Sequence, residues 1–144
     1  MSREDAAALK VGRHPLHALL AHAPNVLFVA ALVTDVAYWK TADILWADGS
    51  DWLLAFGALF AALAALAGIV DFAAARRNRM GAGLFHAWGS LVVLVLAILN
   101  NFVHSRDAYT SVVPSGLILS ALTVVVLMVT GWVGGEMIYR ERGR

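Results

Sequence analysis

The chain has 144 residues, of which 60% are hydrophobic and only 15% are charged, and its mean hydropathy is +0.73. A soluble domain carries about 25% charged residues, and a chain of this length still exposes about 30% of its unfolded surface after folding. The composition therefore argues strongly against a soluble globular enzyme or a disordered protein. The net charge of +1 argues against a nucleic-acid-binding module. The lack of cysteine excludes disulfide scaffolds, thiolate metal sites and covalently attached haem.

Four long apolar runs follow one another along the chain, and a membrane-spanning helix needs about 20 mostly apolar residues. None of the runs alternates as a membrane β-strand would. The linkers between them are short, so consecutive helices are expected to be antiparallel neighbours. The sequence predicts one all-α transmembrane domain over residues 1–144, an integral membrane antiparallel four-helix bundle. Its predicted spans are about 16–39, 52–75, 84–104 and 112–137, and the first linker is Lys40 to Asp51.

The basic residues fall mainly on one side of the predicted bundle. Two of them, Lys40 and Arg106, lie in linkers on the opposite side. Because Lys and Arg are enriched in cytoplasmic loops, the sequence predicts a multi-pass protein of the bacterial inner membrane with both termini in the cytoplasm. The residues that define the cytoplasmic side are Arg3, Lys10, Arg13, Arg76, Arg77, Arg79, Arg140, Arg142 and Arg144.

Histidines and one carboxylate collect at the predicted cytoplasmic ends of three helices. At 100° per residue, His14, His17 and His22 fall within an arc of about 140° on the first helix. His86 opens the third helix at a similar depth, and Asp71 lies near the end of the second. Ionisable groups in a bilayer cost about 2.5–3.5 kcal/mol each on insertion scales, so they need a structural or functional reason.

Three interpretations of this histidine layer stay open. In the leading one, His22 and His86 are axial ligands of haem b, His17 and His14 are substitutes or propionate partners, and Asp71 orients a ligating imidazole. In the second, His22, His86 and Asp71 bind a zinc or iron ion. In the third, the polar groups only join helices, and the protein is a cofactor-free structural or assembly subunit. No catalytic residue is predicted.

A second polar layer is predicted at the opposite end of the bundle. His104 follows His86 by five helical turns, about 27 Å along the axis. Asp35 on the first helix and Asn100 and Asn101 on the third lie at the same level as His104. This layer lacks a second histidine for a bis-histidine haem, so we interpret it as a hydrogen bond between Asp35 and Asn100 or Asn101.

Two glycines of the fourth span, Gly131 and Gly135, have the GxxxG spacing. Small residues at this spacing let two helix backbones approach closely in a membrane. We therefore expect both glycines to face another helix, either in the same chain or in a second copy of it.

Several of these motifs together resemble the bacterial membrane family catalogued as domain of unknown function 2231. They are the opening HPLHALLAHAP, Thr34-Asp35, the run Ala67 to Asp71, the lone His86, and the run Gly131 to Gly135 followed by Tyr139. The resemblance covers about residues 14–140 and implies a four-helix membrane domain with no settled activity. Family members are similar to small b-type cytochrome subunits, and some look like companions of periplasmic oxidoreductases. The composition predicts the lipid bilayer as a partner, and the GxxxG pair allows a homo-oligomer. The resemblance adds a periplasmic or membrane oxidoreductase subunit as a candidate partner.

Overall fold

The computed structural model describes residues 20–74, 82–106 and 112–142, with side chains except at 71–74, 82–83 and 133–142. A short kinked segment, Val112–Gly116, leads into the last helix. Within it Val113 is extended, as expected for a residue that precedes proline. The described ranges contain no strand. Their α-helices are α1 (His22–Thr41), α2 (Ile44–Ala74), α3 (Ala82–His104) and α4 (Leu117–Arg142).

The helices form the predicted all-α membrane bundle. Helix α1 packs against α2 and α4, and α3 packs against the same two helices, so each helix has two principal neighbours. Three segments of the described chain are long and apolar enough to cross a membrane, and helix α1 is not among them. These segments are Ile44–Val70, Leu84–His104 and Val112–Trp132.

The predicted first linker, Lys40 to Asp51, is wrong, because α2 begins at Ile44. Helix α1 ends at Thr41, and the capping residue Ala42 has a left-handed backbone (φ 53°, ψ 21°) and donates its N–H to the Tyr38 carbonyl. The Asp43 carboxylate then accepts a hydrogen bond of 3.0 Å from the Leu45 N–H, as a residue at a helix N-cap does. The capping side chain starts α2 about two turns earlier than its apolar run predicts.

The apolar core lies midway along the bundle and draws on all four helices. Phe28 of α1 and Leu54 of α2 are almost fully buried in it, together with Val93 of α3 and Val124 of α4. A Cβ atom placed at Gly57 would lie 2.5 Å from the Phe28 ring, so glycine is required for this contact between α1 and α2. Membrane helices approach one another through such small residues.

The predicted helix contact at Gly131 is not found among the residues that the structure describes. A Cβ atom at Gly131 would meet nothing within 4 Å. The close approach between α3 and α4 lies at Gly89 instead, where a Cβ atom would collide with the Thr130 side chain. Gly131 borders a cleft, described below, rather than a neighbouring backbone. The side chain position of Gly135 lies outside the described residues.

Exposed tryptophans mark both ends of the bundle. Trp39, Trp46 and Trp52 are exposed at the end where α1 passes into α2, and the Lys40 ammonium lies 3.9 Å from the centre of the Trp39 ring. Trp88 and Trp132 are exposed towards the opposite end. Tryptophan is enriched at the two membrane–water interfaces, so this distribution agrees with a bundle that crosses the bilayer.

Candidate functional site

A cleft of about 110 Å³ opens between the helices near the start of α3. His86 of α3 and Thr130 of α4 supply polar groups to its wall, and α1 contributes Pro24 and Asn25. Most of the other side chains in the wall are small, because the residues of helix α2 that line the cleft are alanines. These are Ala61, Ala64 and Ala65.

The imidazole of His86 is half-buried in this wall and is oriented by the backbone of α4. Its Nδ1 atom lies 3.4 Å from the Thr130 carbonyl oxygen. Because a carbonyl can only accept a hydrogen bond, we assign the proton to Nδ1, which puts the lone pair of the neutral ring on Nε2. A backbone carbonyl that fixes the tautomer in this way is typical of metal-ligating histidines.

The other residues predicted for this layer are placed differently. His22 is the first residue of α1, and its side chain is exposed, although its neighbours Ala21 and Pro24 line the cleft. Asp71 belongs to α2, but its side chain lies outside the described residues, as do His14 and His17 altogether. No three histidine, aspartate, glutamate or cysteine side chains within the described part of the chain are grouped to hold a metal ion.

A second site, at the end where α3 finishes, is a buried polar network. Its centre is Asp35 of α1, which is 0% exposed. The Nε2 atom of His104, the last residue of α3, lies 2.9 Å from the Asp35 Oδ1 atom. The Ser50 hydroxyl of α2 donates to the same carboxylate oxygen, and the Ser120 hydroxyl of α4 donates to Oδ2. One carboxylate thus joins side chains from all four helices.

The network continues along α3. The Asn100 amide donates a hydrogen bond of 2.8 Å from Nδ2 to the Ser120 hydroxyl, and the backbone carbonyl of Asn100 lies 3.1 Å from His104 Nδ1. The other amide atom, Asn100 Oδ1, is buried and has no hydrogen-bond partner among the described residues. The Asn101 side chain takes no part, because its amide donates to the Ala97 carbonyl of its own helix.

Apolar residues enclose the network on both sides along the bundle. The core around Phe28, Ala31 and Ala97 lies on one side, and a smaller cluster of Tyr38, Ala47 and Val112 lies on the other. His104 is only 5% exposed although α3 ends with it. The carboxylate is therefore held away from water, in an apolar environment in which an unpaired charge is costly.

A family model described as "Predicted membrane protein (DUF2231)" matches residues 13–144. The chain belongs to this family. The match confirms the resemblance seen in the sequence and establishes a membrane protein, and the family description assigns no activity. No curated protein and no solved structure shows a significant match to this DUF2231 protein.

The sequence interpretation of the second polar layer is correct in kind and wrong in its partners. Asp35 does join helices, but through His104, Ser50 and Ser120 rather than through a direct bond to Asn100 or Asn101. Ser120 lies between the Asp35 carboxylate and the Asn100 amide and bonds to both.

The two serines were missed for different reasons. Ser50 fell in the predicted linker, whereas the structure places it inside α2. Ser120 gave no signal, because serine in a membrane helix can bond to its own backbone and needs no polar partner. The capping aspartate Asp43 was the available clue that Ser50 is helical.

Proposed function

We propose that the protein is a small membrane subunit resembling a b-type cytochrome, which transfers electrons within a membrane redox system. One observation carries the proposal: an oriented imidazole, that of His86, lines a cleft walled by small side chains inside a membrane helix bundle. Histidine is the usual axial ligand of a b-type haem. The proposal includes a periplasmic or membrane oxidoreductase subunit as the partner in electron transfer.

The residues at the cleft suit a flat macrocycle in two respects. The alanines of α2 and Gly131 of α4 have small side chains or none, so they leave room for a flat group in the cleft. The cleft is also partly open rather than enclosed, so a bound group larger than its volume of about 110 Å³ would extend out of it. In this proposal His86 would hold the haem through Nε2, and His22, His17 or His14 would be the other residues to hold it.

Bound haem would supply a one-electron centre to the protein. The chain itself would set the properties of that centre. The Thr130 carbonyl, by accepting from His86 Nδ1, would make the imidazole a stronger electron donor. The apolar walls would keep water from the iron and so influence its reduction potential. Asp71 is proposed to orient one of the histidines from the end of α2.

The visible spectrum of the purified protein, together with a metal assay, tests the proposal. A Soret band with α and β bands on reduction, at close to one haem per chain, is the expected result. A colourless protein with bound zinc or iron would replace the proposal with the metal-site interpretation of His22, His86 and Asp71. A colourless, metal-free protein would contradict both and leave the structural or assembly subunit.

The proposed location is the bacterial inner membrane, with both termini in the cytoplasm. The chain contains no cysteine, so single-cysteine variants of the full chain can report sidedness. We expect a membrane-impermeant maleimide added to the periplasmic side to label Arg106→Cys and to leave Arg77→Cys and Arg144→Cys unlabelled. The control is labelling of all three after the membrane is permeabilised. The reverse pattern would overturn the orientation.

A further inference from the structure

The hydrogen bonds around Asp35 and His104 indicate how many protons the imidazole and the carboxyl group hold together. His104 Nδ1 faces the Asn100 carbonyl oxygen at 3.1 Å, and a carbonyl can only accept, so Nδ1 carries a proton. His104 Nε2 faces Asp35 Oδ1 at 2.9 Å. If Nε2 and the carboxylate both lacked a proton, two lone pairs would oppose each other at that distance. A second proton therefore lies between Nε2 and Oδ1.

The serines show that this proton does not come from them. The Ser50 and Ser120 hydroxyls use their own protons on Asp35 Oδ1 and Oδ2. Ser50 Oγ lies farther, at 3.4 Å, from both His104 Nε2 and the Ala31 carbonyl oxygen. With its proton committed, Ser120 can only accept from Asn100, which fixes the amide with Nδ2 towards Ser120. The imidazole and the carboxylate together are then electrically neutral. Neutrality accounts for a carboxylate that is fully buried in a membrane bundle.

Asn100 Oδ1 adds an independent observation. It is a buried acceptor with no hydrogen-bond partner among the described residues. Burying such an atom destabilises the folded protein unless a donor forms a hydrogen bond to it. The same amide joins the network through Ser120. A water molecule that donates to Asn100 Oδ1 would satisfy the acceptor and provide a hydrogen-bonded carrier for protons beside the pair.

We propose that Asp35 and His104 form a proton-transfer site that binds one exchangeable proton between them, with a water molecule at Asn100 Oδ1. In loading, hydronium from the aqueous phase gives a proton to His104 Nε2 and leaves as water. The charge of the pair then changes from −1 to 0. In unloading, the proton returns to water. Buried ionisable groups of membrane helices often serve as such relays. The proposal does not depend on haem.

The position of His104 indicates the end of the bundle from which protons reach the site, where the cluster of Tyr38, Ala47 and Val112 separates the network from water. Helix α3 ends at His104, and the exposed residues Ser105 and Arg106 follow directly. Helix α4 adds no charged group between Leu117 and Trp132. Proton exchange is therefore expected from the side of the α1–α2 linker. The other charged residues that the described structure has at this end are Lys40, Asp43, Asp48, Asp51 and Arg106.

The test counts protons on the pair in the full chain near neutral pH. Nitrogen-15 NMR of histidine-labelled protein reports the two ring nitrogens of His104, and infrared spectroscopy with carbon-13 aspartate reports the Asp35 carboxyl. We expect either two protonated ring nitrogens with a carboxylate, or one with a carboxylic acid. Transfer to D₂O should replace the shared proton within minutes. Asp35→Asn should leave His104 protonated at Nδ1 alone, and Asp48→Asn, at an exposed aspartate, should leave the proton count of the pair unchanged.

Two results would overturn the proposal. A singly protonated His104 beside an ionised Asp35 would mean that no proton is shared. A shared proton that survives a day in D₂O would mean a permanent structural bond rather than a transfer site. Both measurements use the unmodified chain, so they remain decisive if Asp35→Asn does not fold. A colourless protein would leave this proposal intact while contradicting the haem proposal.

Discussion

Replacing Asp35 with alanine is expected to destabilise the bundle by about 3–5 kcal/mol, the cost of removing one partner from a buried ion pair. The carboxyl group is fully buried, shares a hydrogen bond with His104 and accepts hydrogen bonds from Ser50 and Ser120. Its removal leaves an imidazole and two hydroxyls without their acceptor and opens a cavity between four helices. Thermal or denaturant unfolding of the purified variant in detergent measures the loss.

A matched control and a double variant make this prediction specific. Asp48→Ala removes an exposed carboxylate from the same end and should change stability by no more than about 0.5 kcal/mol. Asp35→Ala combined with His104→Ala should cost less than the sum of the two single changes, by about 0.5–3 kcal/mol, because the residues are in contact. Additive effects would mean that the two side chains do not interact.

The cost also indicates what holds the helices together. Hydrogen bonds between membrane helices contribute only about 0.6 kcal/mol on average, since a polar group in the unfolded state finds other partners in the bilayer. Neutral contacts alone would therefore give a small effect for Asp35→Ala. A loss of stability of about 5 kcal/mol would show that the charged or shared-proton form of the Asp35–His104 pair dominates. The hydrogen bonds of the two His104 ring nitrogens indicate the same.

The helices could be predicted from the sequence because bilayer crossing imposes a simple requirement. Each span needs a long apolar run, and those runs are visible at Leu84–His104 and Val112–Trp132 without any knowledge of packing. The start of α2 could not be found in this way, since it depends on a local cap at Asp43 rather than on hydropathy. Ile44, Leu45 and Trp46 extend the helix beyond its most apolar part.

The sites were less predictable because they depend on which face of each helix meets which neighbour. Depth along the axis follows from residue spacing, so Asp35, Asn100 and His104 could be assigned to one layer. Their partners depend on rotation about the axis, and that places Asn101 back on its own helix while Asn100 reaches Ser120. The same limit applies at the other end, where His86 lines the cleft and His22 is exposed.

Replacing His86 with alanine is expected to abolish haem binding, if the protein binds haem as proposed. His86 is the one histidine that lines the cleft within the described residues. Changes to residues that only support a metal ligand already cost about 10–100-fold in affinity, so removal of the ligand itself should exceed about 100-fold. The ratio of Soret absorbance to protein in the purified variant measures the loss.

The control for this change is Phe85→Ala, which removes a large, exposed side chain from the adjacent position and should leave the Soret band unchanged. A second variant separates ligand loss from misfolding. His86→Gly should regain the band when imidazole is added, because free imidazole can enter the space left beside the Thr130 carbonyl. If His86→Ala keeps full haem content, the cleft is not the haem site. If both variants lose the band and imidazole restores neither, His86 supports the fold around Thr130 rather than the iron.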